Sequence, residues 1–167
     1  MVLRCLGRSL GGRAGTGVTS PGRRLTELVD ETFRLADSFT RVGDALVAED
    51  GLTASRWLTL GAVAHGPLSV AGIARRRGMR RQSANESVAQ LERAGLVERV
   101  PDPADARAPQ VHLTAEGRQV LDRIRPRRLA WAERTAAVAT EEELAGAVDV
   151  LRRVRATLAD QGETERA

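Results

Sequence analysis

Glycine and proline punctuation divides the middle of this chain into helical pieces of restricted length. His65-Gly66-Pro67, Gly78 and Gly95 each stand where an apolar helical pattern breaks off, and a glycine just past a helical run suits a left-handed cap. Between these breaks the spacing predicts a helix after Thr53, a short helix over Val70 to Arg77 opened by Ser69, and a helix from about Arg80 to Ala94. Ala84, Val88 and Leu91 give the last of these its inward side. Trp57, Leu58, Leu60, Ala62 and Val63 are apolar nearly all round, so the first is expected to be buried. Thr53 can cap it, although Arg56 stands where a capping box needs an acid or amide.

Longer helices flank this centre. Leu25, Leu28, Val29, Thr32, Phe33, Leu35, Ala36, Phe39, Val42 and Leu46 recur at three- and four-residue steps, and Asp50-Gly51 makes a turn after them. Beyond Gly95, Leu96 to Val100 alternates as a strand, Pro101 to Gln110 is polar and rich in proline, and Val111-His112-Leu113 is a second strand. Together they read as a hairpin around a ten-residue loop. Thr114 opens a fifth helix that Pro126 should kink. Thr140 and Glu143 form a capping box for a sixth, with fraying expected from Gly162.

The resulting expectation is a mainly α fold, a winged helix-turn-helix: a three-helix bundle plus a β-hairpin wing, with flanking dimerisation helices. Residues 1–24 are expected to be a flexible basic tail, 25–160 the folded domain and 161–167 a frayed end. Within the domain, 53–114 form the winged-helix core, and 25–50 and 115–160 the dimerisation helices. Those long helices have more apolar surface than a small core absorbs.

Composition narrows the functional classes. Only Phe33, Phe39, Trp57 and Trp131 are aromatic, which favours helices over a β-rich fold. Every basic residue is arginine, so arginine abundance alone is no sign of nucleic acid. Of the formal net charge of +4, the acid-free segment 1–24 contributes Arg4, Arg8, Arg13, Arg23 and Arg24; the remainder is close to neutral. A single cysteine, Cys5, excludes an intramolecular disulfide framework and any multi-cysteine metal site, and fits a reducing cytoplasm. No apolar run reaches the length of a membrane span, so no membrane partner is expected. With two histidines, one tail cysteine and no phosphate-binding glycine loop or nucleophile elbow, no catalytic set emerges. The chain reads as no enzyme, with no cofactor and no metal.

The candidate chemistry gathers around the turn at Gly78. Arg75, Arg76, Arg77, Arg80 and Arg81 crowd the entry of the fourth helix. The bland reading is a solvated charged face; the other is a set of phosphate contacts that position the chain on duplex DNA. Arg81, Gln82, Ser83, Asn85 and Glu86 lie off that helix's inward side, and their types match base edges. An ordinary polar helix surface is the alternative.

Asp102-Pro103-Ala104-Asp105-Ala106-Arg107, closing into Val111-His112-Leu113-Thr114, resembles the wing of the multiple-antibiotic-resistance-regulator (MarR) family. That family shows Asp-Pro, any residue, Asp-Arg-Arg, then Val-any-Leu-Thr. The resemblance extends over roughly residues 25–160, including Leu91 to Arg99. It implies a transcriptional regulator, more readily a repressor, that binds double-stranded DNA as a homodimer on a pseudo-palindromic operator. It further implies that Arg107 enters the minor groove with Asp105 as its support. Ala106 replaces the first wing arginine, and Arg80 stands where a Ser or Thr cap is common. The family often has a small-molecule effector pocket, which Phe39, Trp57 and His65 would approach; packed core residues and a turn histidine are the plainer reading. Some relatives sense oxidants through a cysteine early in the first helix, a role not transferred to Cys5. The alternative function is a winged-helix protein–protein interaction module without DNA binding.

Overall fold

The computed structural model describes residues 20–102 and 105–164, with the backbone course alone for 105–107 and 162–164. In chain order the elements are α1 (Ser20–Val47), a 3-10 turn (Ala48–Asp50), α2 (Ala54–Ala62), β1 (Leu68–Ser69), α3 (Val70–Arg77), α4 (Arg81–Arg93), β2 (Val97–Asp102), β3 (Asp105–Leu113), α5 (Ala115–Ala136) and α6 (Glu141–Thr164). Residues 1–41 and 42–167 are two compact units. The expected mainly α winged helix is what the chain adopts, with a small antiparallel sheet in the order β1-β3-β2.

In the first unit α1 begins at Ser20, five residues before the expected start at Leu25. Pro21 is tolerated there because the first helical turn has no carbonyl for its missing N–H to meet. Arg24–Glu27 at 2.6 Å, Arg34–Glu31 at 2.5 Å and Arg41–Asp37 pair along the helix surface. Each contributes about 0.2–0.5 kcal/mol, since neighbours three and four apart share a face. Cys5 and the first arginines of the tail lie outside the described residues.

The second unit holds the core. Val47, Leu60, Ile73, Val88, Leu91, Val111 and Ile124 are essentially inaccessible, each stabilising by about 1.5–3 kcal/mol relative to exposure. Ala84, Ser87, Val88 and Leu91 form the buried face of α4, the three-and-four spacing that the sequence supplies. Asp44 Oδ1 accepts the Ala54 N–H at 2.7 Å and Thr53 Oγ1 the Arg56 N–H at 3.3 Å, which together satisfy orphan donors at the start of α2. Asp50, its side chain 7% exposed, is held by Arg127 and Arg123 of α5, and Arg127 also reaches Glu49 at 2.7 Å.

Four expectations are revised. Helix α2 is not buried all round: Leu58 is 42% exposed. A third strand, β1, pairs Leu68 with Val111 and Ser69 with Gln110. The wing strands run to Asp102 and from Asp105, replacing most of the ten-residue loop; a register irregularity falls between Val100 and Asp102, around Pro101, where a strand proline belongs. Helix α6 continues past Gly162 to Thr164. Helix α5 does include Pro126 within its span, and the exposed position of the proline lets water meet the unbonded Asp122 carbonyl. The expected caps hold: Thr114 Oγ1 accepts the Gly117 N–H at 3.0 Å, and Thr140 and Glu143 close a reciprocal box.

At Gly117 a Cβ would stand 2.1 Å from the Leu96 carbonyl oxygen and 2.8 Å from Leu113 Cδ1. Gly117→Ala is therefore expected to destabilise by about 2–3 kcal/mol despite alanine's better helix propensity, because backbone must move. Denaturant midpoints measure this; an unchanged or raised midpoint would contradict the close approach.

Candidate nucleic-acid interface

Helices α3 and α4 meet at a tight corner. Ser69 Oγ accepts the Gly72 N–H at 3.1 Å to start α3, and Gly78, with φ of 63°, ends it in the left-handed region. A side chain at that φ would crowd the following carbonyl. Arg80 is the extended residue before α4 and makes no side-chain cap. The apolar face of α4 is seated in the core, so Arg81, Gln82, Ser83, Asn85 and Glu86 are exposed.

The arginine cluster does not act as one patch. Arg75, Arg80 and Arg81 are exposed and have no hydrogen-bond or ion-pair partner among the described residues. Arg76 instead donates from Nη1 to the Ala62 carbonyl at 2.7 Å, closing the C-terminal end of α2. A cation suits that negative end of the helix dipole. Arg77 turns towards a cleft on another side of α3, and burial lowers its pKa from the ordinary arginine value.

Two amides of the outward face are already engaged. Gln82 Nε2 donates to Glu86 Oε1 at 3.0 Å within α4. Asn85 Oδ1 accepts from Arg99 Nη2 of β2 at 3.0 Å. Arg99 Nε lies 3.5 Å from Glu92 Oε2, an ion-pair distance without hydrogen-bond alignment. Arg81, Gln82, Asn85 and Arg99 border a cleft of about 520 Å³ with the first residues of α3 and with Ala108 and Pro109 of the wing. The side chains of Asp105 and Arg107 lie outside the described residues; their backbones belong to β3.

A second cleft, of about 420 Å³, opens between α2, the end of α3, Leu113 and α5. Trp57 and His65 are among its lining residues, and Leu58, Leu121 and Ile124 add apolar wall. Phe39 belongs to the other unit, on α1, and is 47% exposed. Arg77, Arg118, Arg125 and Arg128 face Asp122 alone among acids. The sequence reading named Arg77 only for DNA and missed Arg118, Arg125 and Arg128, although the three- and four-residue steps linking 118, 122, 125 and 128 place them on one side of α5. It also missed Arg99, whose alternation in β2 gave no sign of a partner on α4. Among the described residues no group of three or more metal-ligating side chains is gathered, and no helix is long and apolar enough to cross a membrane.

Comparison with known proteins agrees with this architecture. A family model described as MarR family matches residues 50–108. An uncharacterized protein of Mycobacterium tuberculosis is 33% identical over 130 residues, spanning 78% of this chain and 91% of that one. A protein of Rhodopseudomonas palustris described as the transcriptional activatory protein BadR is 36% identical over 95 residues, 54% of each chain. The crystal structure of the PcaV transcriptional regulator from Streptomyces coelicolor, in complex with its natural ligand, superposes with a TM-score of 0.62 at 29% identity, covering 72% of this chain and 89% of that one. The family is one of transcription regulators rather than enzymes. The chain belongs to the MarR family of transcription regulators.

Proposed function

We propose that the chain binds a pseudo-palindromic operator as a homodimer, with α4 in the major groove and the β2–β3 wing over the adjacent minor groove, and that an anionic small molecule releases it. The observation that carries this reading is the outward face of α4: Gln82, Ser83, Asn85 and Glu86 on a rigid apolar mount, flanked by the unpaired Arg75, Arg80 and Arg81. Phosphates attract the three arginines, and the polar residues meet base edges. Helix α3 also begins at the wing-side cleft with Val70 and Ala71, where backbone N–H groups favour a phosphate. Arg107, by its place in the wing sequence, is the minor-groove cation, with Asp105 beside it.

Dimerisation is supported by apolar surface left open. On α6, Leu144, Val148 and Leu151 are 41–44% exposed and Leu158 is 61% exposed; on α1, Phe33 is 64% exposed. Apolar stripes of this extent mark contact surfaces, and a twofold pair matches a palindromic site with half-sites about one helical turn apart. Repression follows most directly, since occluding a promoter requires only binding. The description of the Rhodopseudomonas relative as an activator is consistent with operator position, rather than the fold, setting the sign.

The α2–α5 cleft is the seat for the effector. Four arginines, one aspartate and an apolar wall with Trp57 suit a ligand with an anionic end and an apolar or aromatic body. A half-buried guanidinium such as Arg77 gains most from such a ligand.

Gln82→Ala is expected to cost about 1–3 kcal/mol at particular base pairs, while Arg107→Ala weakens all sequences mildly and lowers the salt slope by about one ion. Titrations of selected duplexes at two salt concentrations check both; silence of both variants, or salt-insensitive binding, would reject the DNA reading. For the cleft, benzoate and longer aryl carboxylates should raise thermal stability, by about 2.7 kcal/mol at a hundredfold excess over Kd. Benzamide should not, and Arg77→Met should abolish the shift. Equal responses to acid and amide would remove the anion reading.

A further inference from the structure

We propose that Arg99, a strand residue on β2, decides which base Asn85 reads by turning the oxygen of its side-chain amide away from the DNA. The inference rests on the DNA-binding reading given above. A guanidinium has donors and no acceptor. With Arg99 Nη2 at 3.0 Å from the Asn85 side chain, the atom facing it must be Oδ1, since the opposite amide orientation would set N–H against N–H. The amide nitrogen is then the atom left for an outside partner.

Arg99 is held where it does this. Its side chain is 29% exposed, against 40% for Glu92, whose carboxylate lies 3.5 Å from Nε. Its backbone is paired with Val111, which is buried on β3. The neighbouring reader differs: Gln82 is engaged through its nitrogen, by Glu86, in an exposed pair on a single helix. That pair reorganises with the two side chains alone. Asn85 is tied to a different element of the fold.

An unconstrained asparagine offers a donor and an acceptor side by side, the pattern that matches adenine N6 and N7. With its oxygen held on the Arg99 side, Asn85 leads outward with its N–H donors. Those match guanine O6 and N7 or thymine O4, leave the adenine N6 amino group unanswered and oppose the cytosine N4 amino group. Arg99 is thus a positioning residue: it touches no base, and it converts an adenine reader into a reader of keto bases.

The test is selection of bound duplexes from a random pool by the full-length chain, run for the wild type, Asn85→Ala, Arg99→Met and Arg99→Gln. Loss of preference in Asn85→Ala identifies the base pair that Asn85 contacts. At that pair the wild type should favour a keto base over adenine by about tenfold. Arg99→Met frees the oxygen and should bring adenine to parity or above, with the ranking at every other position kept. Arg99→Gln, which can accept as well as donate, matches either orientation of the Asn85 amide, so adenine should gain on the keto bases relative to wild type even if Arg99→Met does not fold. Unchanged ranking in the folded Arg99 variants, with affinity reduced evenly on all sequences, would show a brace between wing and helix and overturn the inference. So would adenine preference in the wild type at the Asn85 position. If the wild type enriches no motif at all, the DNA reading falls and takes this one with it.

Discussion

Where α5 begins, its backbone runs so close to the start of β2 that only a hydrogen fits on Gly117 beneath the Leu96 carbonyl. The same carbonyl accepts the Thr114 N–H at 3.2 Å, and Thr114 Oγ1 donates to the Gly95 carbonyl at 2.7 Å. One joint therefore binds the end of α4, the base of the hairpin and the first turn of α5. The base of the hairpin is fixed by these close backbone contacts together with the burial of Leu96, Val97 and Val111 in the core. From Leu113 back to Asp105, β3 extends up to about 26 Å at the usual strand rise. A tilt of about 5° at the base would carry the far end of such a strand about 2 Å, the scale on which hydrogen-bonding reach is lost. If the wing meets DNA alongside α4, as proposed, a joint with such close backbone contacts serves it.

Helix α3 stands between the two clefts and is the physical link between them. Its first residues border the wing-side cleft, and its last, Arg77, borders the α2–α5 cleft. Ile73 and Ala74 are buried in the core, and a close-packed interior resists local deformation. In the proposed function a ligand held by Arg77 would pull on α3 as one piece, and Gly78 and Arg80 join that end of α3 to α4. Arg76 resists from the other side through its bond to the Ala62 carbonyl. Of these two neighbouring arginines, one anchors α3 to α2 and the other borders the cleft proposed for the ligand. On the proposed function, an anion in the cleft would change the presentation of α4 without approaching its outward face.

What the sequence made legible was mostly local. Thr53, Ser69, Thr114 and Thr140 as caps, Gly78 as a left-handed stop and the buried spacing of α4 are each set within a few residues, and each is found as expected. Non-local features were harder. Strand β1 is two residues long, and Leu68 and Ser69 form it only because β3 passes beside them. Pro21, Pro101 and Pro126 suggested ends, a loop and a kink; the fold accommodates each where the missing N–H has no essential partner. The five arginines near Gly78 looked alike as a run. Their destinations are set by which side of α3 each occupies and by what α2 and α5 bring there, and sequence spacing alone does not give that.

The relative cost of reorienting the two amides of α4 separates their roles. The Gln82–Glu86 pair is an exposed contact four residues apart, worth about 0.2–0.5 kcal/mol. A base contact of about 1–3 kcal/mol readily replaces it. The Asn85–Arg99 bond has a charged donor, and such bonds contribute about 1.5–3 kcal/mol. The exposure of Asn85 places it near the lower end of that range. Breaking it to present the oxygen to adenine would use up much of what the new contact returns, and would leave Arg99, already with a buried Nε lacking a hydrogen bond, short of another acceptor. On the proposed reading, Gln82 would adapt to the sequence it meets, whereas Asn85 would meet each sequence with its orientation already chosen.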